Sequence, residues 1–274
     1  MKKIAIQGIS GCFHEMAALK FFGEDIEVVE CNTFKSLCQC LAEEKSDFAV
    51  MAIENTLAGS LLPNYSLIQK YGFHVVGEVY LHIVMNLMVY PGTPLQNIKY
   101  ILSHSVALAQ CEDFIDSLPD PVLKEYHDTA AAAKWVKDNK STDTAAIANK
   151  LSSQLFNLEI IAESIETHKK NFTRFLVLST KKITIPDANK ASLSLELPHE
   201  PGSLANVLQI FKDEKVNLTK IQSVPIIGKP YQYAFKIDLI WENYHHYQEA
   251  LKRVSEYVSD IIIHGEYKAA DYLA

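Results

Sequence analysis

The chain has 274 residues, 48% hydrophobic and 22% charged, with a net charge of −7. That length allows two domains or one large one. The acid excess and the lack of a dense basic run argue against a nucleic-acid binder, since Lys169-Lys170 and Lys181-Lys182 are isolated pairs. The apolar stretch Ile83–Tyr90 is far below membrane-spanning length, so no membrane partner is expected. The start Met1–Gly8 is charged, but its apolar run is short and broken by Gln7. It reads as a buried strand rather than a signal peptide, and a cytoplasmic protein is expected.

In chain order, Lys3–Gln7 predicts a short strand, followed by a glycine turn and a helix over Phe13–Phe22. Glu27–Cys31 reads as a strand, Thr33–Glu43 as a helix and Phe48–Ile53 as a strand. After Gly77 the chain runs through Tyr80–Tyr90 and the turn Pro91-Gly92-Thr93-Pro94. Tyr100–Ser103, a helix over Ala107–Ser117 and Val122–Tyr126 follow. Asp128-Thr129 is a helix N-cap for Ala130–Asn139. Thr144–Ile147, a helical piece at Ser152–Phe156, and strands at Glu159–Ile165 and Arg174–Ser179 complete this part. The alternation predicts parallel sheets with helices on both faces. The strands are too many for one small sheet, so two α/β lobes with a cleft are expected, about 1–77 with 160–180, and 78–159.

The segment Lys181–Lys190 carries Pro186, Asp187 and Asn189 and reads as a linker. Beyond it, Ala191–Leu197 alternates as a strand and His199–Ser203 turns into a helix reaching about Glu214. Asn217–Ile227 and Tyr231–Ile240 flank the hairpin signal Gly228-Lys229-Pro230. A helix over Tyr244–Val258 and a strand at Asp260–Tyr267 give the order βαββαβ, a ferredoxin-like module over 191–274.

Five cysteines with no Cys-x-x-Cys spacing predict neither a disulfide framework nor a zinc site, and no His-x-x-x-His motif appears. The polar residues of interest sit at strand-to-helix junctions. Gly8-Ile9-Ser10-Gly11-Cys12-Phe13 is either a tight turn or an anion-binding loop. Glu54-Asn55-Thr56 offers an acceptor, an amide and a hydroxyl, or a helix cap. His104, after Ser103, is a titrating group or a turn histidine bonded to backbone. Arg174 is the only arginine in the first 252 residues and stands beside Thr173, between Phe172 and Phe175. A guanidinium binds carboxylates through a planar fork, and a surface arginine on a strand is the plainer alternative.

These blocks resemble the prephenate dehydratase family, in family order: Gly8-x-x-Gly11-x-Phe13 with Ala17-Ala18; Ile53-Glu54-Asn55-Thr56 with Gly59; Ser103-His104 with Ala109-Gln110-Cys111; Thr129-Ala130 with Ala132-Ala133; Ala145–Ala148; and Asn171-x-Thr173-Arg174-Phe175. The tail resembles the ACT domain, a small-molecule sensor. The resemblance implies a catalytic domain over 1–180, two-lobed like type II periplasmic binding proteins, and an ACT domain over 191–274. It implies conversion of prephenate to phenylpyruvate with loss of CO₂ and water, without metal or organic cofactor. Thr173 takes the central catalytic place, beside the departing hydroxyl, and Arg174 holds a carboxylate or organises the site. Gly11, Cys12, Phe13, Asn55, Thr56, Ser103, Gln110, Thr129, Ala130 and Phe175 are expected to bind substrate. Gly202, Ser203, Leu204 and Ser223 are expected to bind L-phenylalanine as effector, and pairing of ACT domains implies a homodimer or homotetramer. The chain departs from the family at Cys12 and His14, where Thr and Ser or Thr are common, at Ser105-Val106 in place of Pro-Gln, and at Gln222 and Val224 in the second effector motif. Arogenate, the aminated substrate, and a non-catalytic amino-acid sensor are the alternatives.

Overall fold

The structure, a computed structural model, describes residues 1–226, 228 and 231–271; Ile227, Lys229 and Pro230 of the expected hairpin lie outside the described residues. Short apolar segments form the central strands. β1 (Lys2–Gln7) leads through a turn into α1 (Phe13–Phe22), followed by β2 (Ile26–Cys31), α2 (Phe34–Ala42) and β3 (Phe48–Asn55). β1 pairs in parallel with β2 and β3. Ile4, Ala5, Ile6, Val50, Met51 and Ile53 are fully buried, as expected of parallel strands covered on both faces. Thr33 caps α2 through a reciprocal bond pair with Ser36.

β4 (Gly59–Ser60) folds back on β3, and α3 (Leu62–Tyr71) leads to β5 (His74–His82). The sequence reading missed α3, whose apolar residues keep no clean helical stripe and whose Pro63 sits in the first turn, where it is tolerated. It also set the lobe boundary at Gly77, but β5 runs through that glycine to His82.

The chain then enters a second sheet of β6 (Asn86–Val89), β7 (Tyr100–Ser103), β8 (Val122–Glu125), β9 (Thr144–Ala148) and β10 (Glu159–Ala162). Its helices are α4 (Ser105–Gln110), α5 (Glu112–Asp116), α6 (Thr129–Asn139) and α7 (Lys150–Phe156). The expected helix Ala107–Ser117 is two helices, broken at Cys111. β11 (Phe172–Ser179) returns to the first sheet, whose order is β2-β1-β3-β11-β5; the second is β10-β6-β9-β7-β8. This part of the chain is mixed α/β with two open sheets, and no described helix is long and apolar enough to cross a membrane.

The two crossings between these sheets are clamped by Glu166. Its carboxylate accepts the Met85 N–H at 2.8 Å and the Ser164 hydroxyl at 2.6 Å. Burial alone would raise this carboxyl; the hydrogen bonds outweigh it and hold it below the usual range.

Contacts divide the chain into two compact units, Met1–Asn64 with Val79–Phe175, and Tyr65–Glu78 with the residues from Leu176 on. The second unit holds β12 (Lys190–Glu196), α8 (Ser203–Asp213), β13 (Asn217–Pro225), β14 (Tyr233–Ile240), α9 (Tyr244–Val254) and β15 (Asp260–Tyr267). The sheet order β13-β14-β12-β15 is that of a ferredoxin-like module. Strand alternation sorts β12 between two buried faces. Ala191, Leu193 and Leu195 join Val207, Phe211 and Tyr247 in the core under the helices. Lys190, Ser192 and Ser194 point the other way. There Lys190 meets both Glu78 carboxylate oxygens at 2.8 and 2.9 Å. Ser194 joins Lys236 at 2.7 Å and His264 Nε2 at 2.6 Å, with Asp238 and His74 also near His264.

Burial and then the Lys236 charge push the His264 pKa from 6.5 down to about 4. Between those values the unfolded chain binds a proton that the folded chain refuses, so stability falls as pH drops. The loss from this group is about 2 kcal/mol by pH 5. His264→Gln keeps a polar group facing Ser194 but cannot titrate. Chemical denaturation from pH 7 to 4 should therefore show a flatter stability profile for the variant, and parallel profiles would contradict the assignment.

Candidate active site

The strand ends of the first unit converge on a cavity of about 390 Å³. Its wall contains Cys12 and Phe13 from the turn after β1, Asn55 from β3, Gln110 from α4, Thr129 from α6, and Thr173 and Phe175 from β11. Seven of the residues expected in the site are thus brought together from five separated segments.

Asn55 orders the centre. Its Oδ1 accepts the N–H groups of Leu57 and Ala58 at 2.9 and 2.8 Å, closing the turn after β3. That fixes the amide orientation, because an amide nitrogen cannot accept those bonds. Nδ2 consequently faces Asn171 Oδ1 at 2.7 Å, Thr173 Oγ1 at 3.0 Å and the Phe172 carbonyl at 3.2 Å. Thr173 Oγ1 is the acceptor in its bond with Asn55, so its own O–H remains to donate. Asn171 Nδ2 in turn donates to Gln110 Oε1 at 3.0 Å, extending the chain of amides to the second sheet's helix α4. Asn55 is therefore a turn-forming amide, not the helix cap that was one expectation.

Arg174, expected either to hold a carboxylate or to organise the site, is not in the cavity wall. Alternation along β11 puts Thr173 and Phe175 in the cavity wall and turns Arg174 to the other face. There it is only 3% exposed, with Nη1 3.9 Å from Glu54 Oε2 and the guanidinium 6.0 Å from the Tyr80 ring centre. It organises the β3 and β11 ends and does not face the cavity.

The Gly8–Cys12 turn is also not the open anion loop that one reading offered. The Ile9 N–H donates to Asp128 Oδ2 at 2.9 Å, the Ser10 N–H to Glu30 Oε1 at 2.6 Å, and the Gly11 N–H to Glu15. The protein's own carboxylates occupy these amides. The Gly11 carbonyl accepts from Asn149 Nδ2 at 2.8 Å and Ser152 Oγ at 2.9 Å, both at the start of α7. Gly8 has φ +106°, and a Cβ there would lie 2.6 Å from Asp128 Oδ2, so only glycine lets this carboxylate close in.

Thr56, Ser103 and Ala130 support the cavity without lining it, and Cys12 lines it as a buried thiol. Thr56 Oγ1 accepts the Phe172 N–H at 2.9 Å and donates to the Lys170 carbonyl at 3.2 Å, pinning the returning strand. Ser103 Oγ donates to the Ile147 carbonyl at 2.7 Å and is fully buried between β7 and β9. The Ala130 N–H is held by the Asp128 cap at 3.1 Å. Cys12 remains a thiol: burial, then the Asp128 charge, pushes its pKa far up, and its Sγ donates to the Gln7 carbonyl at 3.5 Å.

Several lining residues were not assigned to the site from sequence. Asp128 was read only as the α6 cap; it also lines the cavity, and burial raises its carboxyl. His104 lines the cavity while its Nδ1 caps α4, accepting the Val106 N–H at 3.2 Å. Gln7, His127 and His14 also line it. Asp128, His104 and His127 share a position just past a strand end, whereas His14 is the second residue of α1.

In the second unit, Ser203 and Leu204 line a separate cavity of about 150 Å³ with Glu200, Tyr233 and Phe235. Gly202 and Ser223, also expected as effector ligands, are not in its wall; Gly202 caps α8 with φ +86°.

Comparison with known proteins places this geometry. The prephenate dehydratase family profile matches residues 4–183. Arogenate dehydratase/prephenate dehydratase 2, chloroplastic, of Arabidopsis thaliana is 33% identical over 278 residues, 97% of this chain and 72% of the relative. Arogenate dehydratase 1 of Petunia hybrida is 34% identical over 283 residues, 97% of this chain and 66% of the relative. The chain thus spans about two thirds of the length of these plant proteins. Among solved structures, prephenate dehydratase from Arthrobacter aurescens in complex with L-Phe superposes with a TM-score of 0.87 at 26% identity, covering 98% of this chain and 91% of that one. GqqA, described as a novel type of quorum quenching acylase, superposes with a TM-score of 0.88 at 28% identity over the whole of both chains. By profile and by relatives, the chain belongs to the prephenate dehydratase family.

Proposed function

We propose that this chain is a dehydratase that converts prephenate to phenylpyruvate in phenylalanine synthesis, with Thr173 at its centre. The observation that carries this reading is the Asn55–Thr173 hydrogen bond. It leaves the threonine O–H free to donate to the departing ring hydroxyl. A neutral threonine is a weak acid, so its contribution is to orient the leaving group and stabilise the oxygen as charge builds on it. Aromatisation of the ring drives loss of water and CO₂ together. The α1 N-terminus opens at the cavity with Cys12 supplying no side-chain cap, which favours a substrate carboxylate there. Gln110 and Thr129 supply further polar contacts, and Arg174 holds the strand ends in place.

Arogenate is the second reading. It is favoured by Asp128, a carboxylate in the wall of a cavity whose described lining residues include no lysine or arginine. A substrate with an ammonium beside its carboxylate suits such a wall better than a dianion does.

We infer that the ferredoxin-like module is an ACT domain that binds phenylalanine and lowers activity. Support comes from the Ser203–Leu204 cavity and from the relative whose structure was solved with L-Phe. Family membership supports a pair or tetramer of chains without cofactor.

Turnover of prephenate and arogenate by the purified chain, followed by ultraviolet absorbance, tests the activity. Thr173→Ala should lower kcat by roughly a hundred- to ten-thousandfold with an unchanged thermal midpoint. A variant with near-wild-type kcat would remove Thr173 from the centre. Phenylalanine should inhibit the wild type, and Leu204→Asp should relieve it. Activity indifferent to about millimolar phenylalanine would refute the regulatory assignment.

A further inference from the structure

His14 is the second residue of α1 and stands in the cavity wall, 8% exposed. Its Nε2 accepts the Ala52 N–H at 3.3 Å. An accepting nitrogen carries no proton, so the neutral ring bears its single proton on Nδ1. Phe175 meets the ring edge-on, centroids 5.0 Å apart, and Phe34 lies 5.6 Å away, so both resist a ring flip that would exchange the nitrogens. Burial pushes the pKa down to about 3, which keeps the ring neutral.

Nδ1 has no hydrogen bond to any described residue. Nor is it among the sealed, unpaired polar atoms of the interior, so it reaches open space, and the open space beside His14 is the cavity. The adjoining N-terminal turn of α1 adds the positive end of a helix dipole. A donor with no partner and a helix start therefore face the same volume.

We propose that His14 is a specificity-determining residue, a neutral hydrogen-bond donor that holds a carboxylate oxygen of the substrate through Nδ1–H. The proposal rests on the cavity being the dehydratase site. A hydroxyl at this position would donate or accept. The fixed tautomer only donates, so it selects an acceptor and excludes an ammonium group from this end of the cavity. The carboxylate end of the substrate lies at α1, and the remainder extends towards Thr173.

Asparagine places an amide nitrogen where Nδ1 stands, whereas glutamine reproduces the Nε2 position. Steady-state kinetics on whichever substrate the wild type turns over should give His14→Asn a KM within about threefold of wild type. His14→Gln and His14→Phe should raise KM roughly tenfold or more, the worth of one hydrogen bond to a charged group, with kcat less affected. Long-range proton–nitrogen NMR of the labelled wild type needs no variant. It should show a neutral His14 protonated on Nδ1, with that nitrogen shifting when phenylpyruvate is added. A proton on Nε2, or a wild-type KM in both His14→Gln and His14→Phe, overturns the proposal while leaving the dehydratase reading intact. A wild type inactive on both prephenate and arogenate overturns that reading, and the proposal with it.

Discussion

The site depends on the orientation of one buried amide. Asn55 spends its oxygen on two backbone N–H groups of its own turn, which leaves its nitrogen for β11. The consequence is a polarity, not only a position: Thr173 is made an acceptor towards the protein and a donor towards the cavity. Asn171 and Gln110 carry the same hydrogen-bond chain into the second sheet's helix. Buried amides are costly to leave unpaired, so this chain resists any rearrangement that separates its members.

A second set of ties fixes the opposite wall. Asp128, Asn149 and Ser152 begin helices of the second sheet, yet each also bonds the glycine turn after β1. Helix capping and site assembly use the same side chains here. The carboxylates of Asp128, Glu30 and Glu15 saturate the turn amides, so the turn acts as scaffold, and in the proposed reading anion recognition falls instead to the start of α1 and to His14.

Much of this was legible in sequence where the signal is local. Buried strands such as Lys2–Gln7, the Asp128 cap and the alternating β12 announce themselves through apolar runs, capping residues and a period of two. Residues such as Asn55 and Thr129 were suspected because open α/β sheets place ligands at strand ends, and they do meet in one cavity wall. What was missed depends on distant partners. Arg174 looked like a carboxylate ligand because its neighbour is Thr173, but strand alternation and Glu54 bury it on the opposite face. The turn amides looked free because Asp128 lies 119 residues away from Ile9. α3 was hidden because its apolar residues keep no clear helical stripe. His14 looked like a departure from the family pattern; its tautomer is set by Ala52, which no local pattern announces.

The central claim is that Asn55 forces the Thr173 proton into the cavity. Asn55→Asp tests it most directly, because the substitution keeps size and the Leu57 and Ala58 bonds but turns the donor into an acceptor. Thr173 would then donate its O–H to the new carboxylate, and that hydrogen would point away from the cavity. Steady-state turnover of prephenate or arogenate by this variant should fall at least about a hundredfold in kcat, with circular dichroism unchanged. A folded Asn55→Asp chain with wild-type kcat would contradict the account.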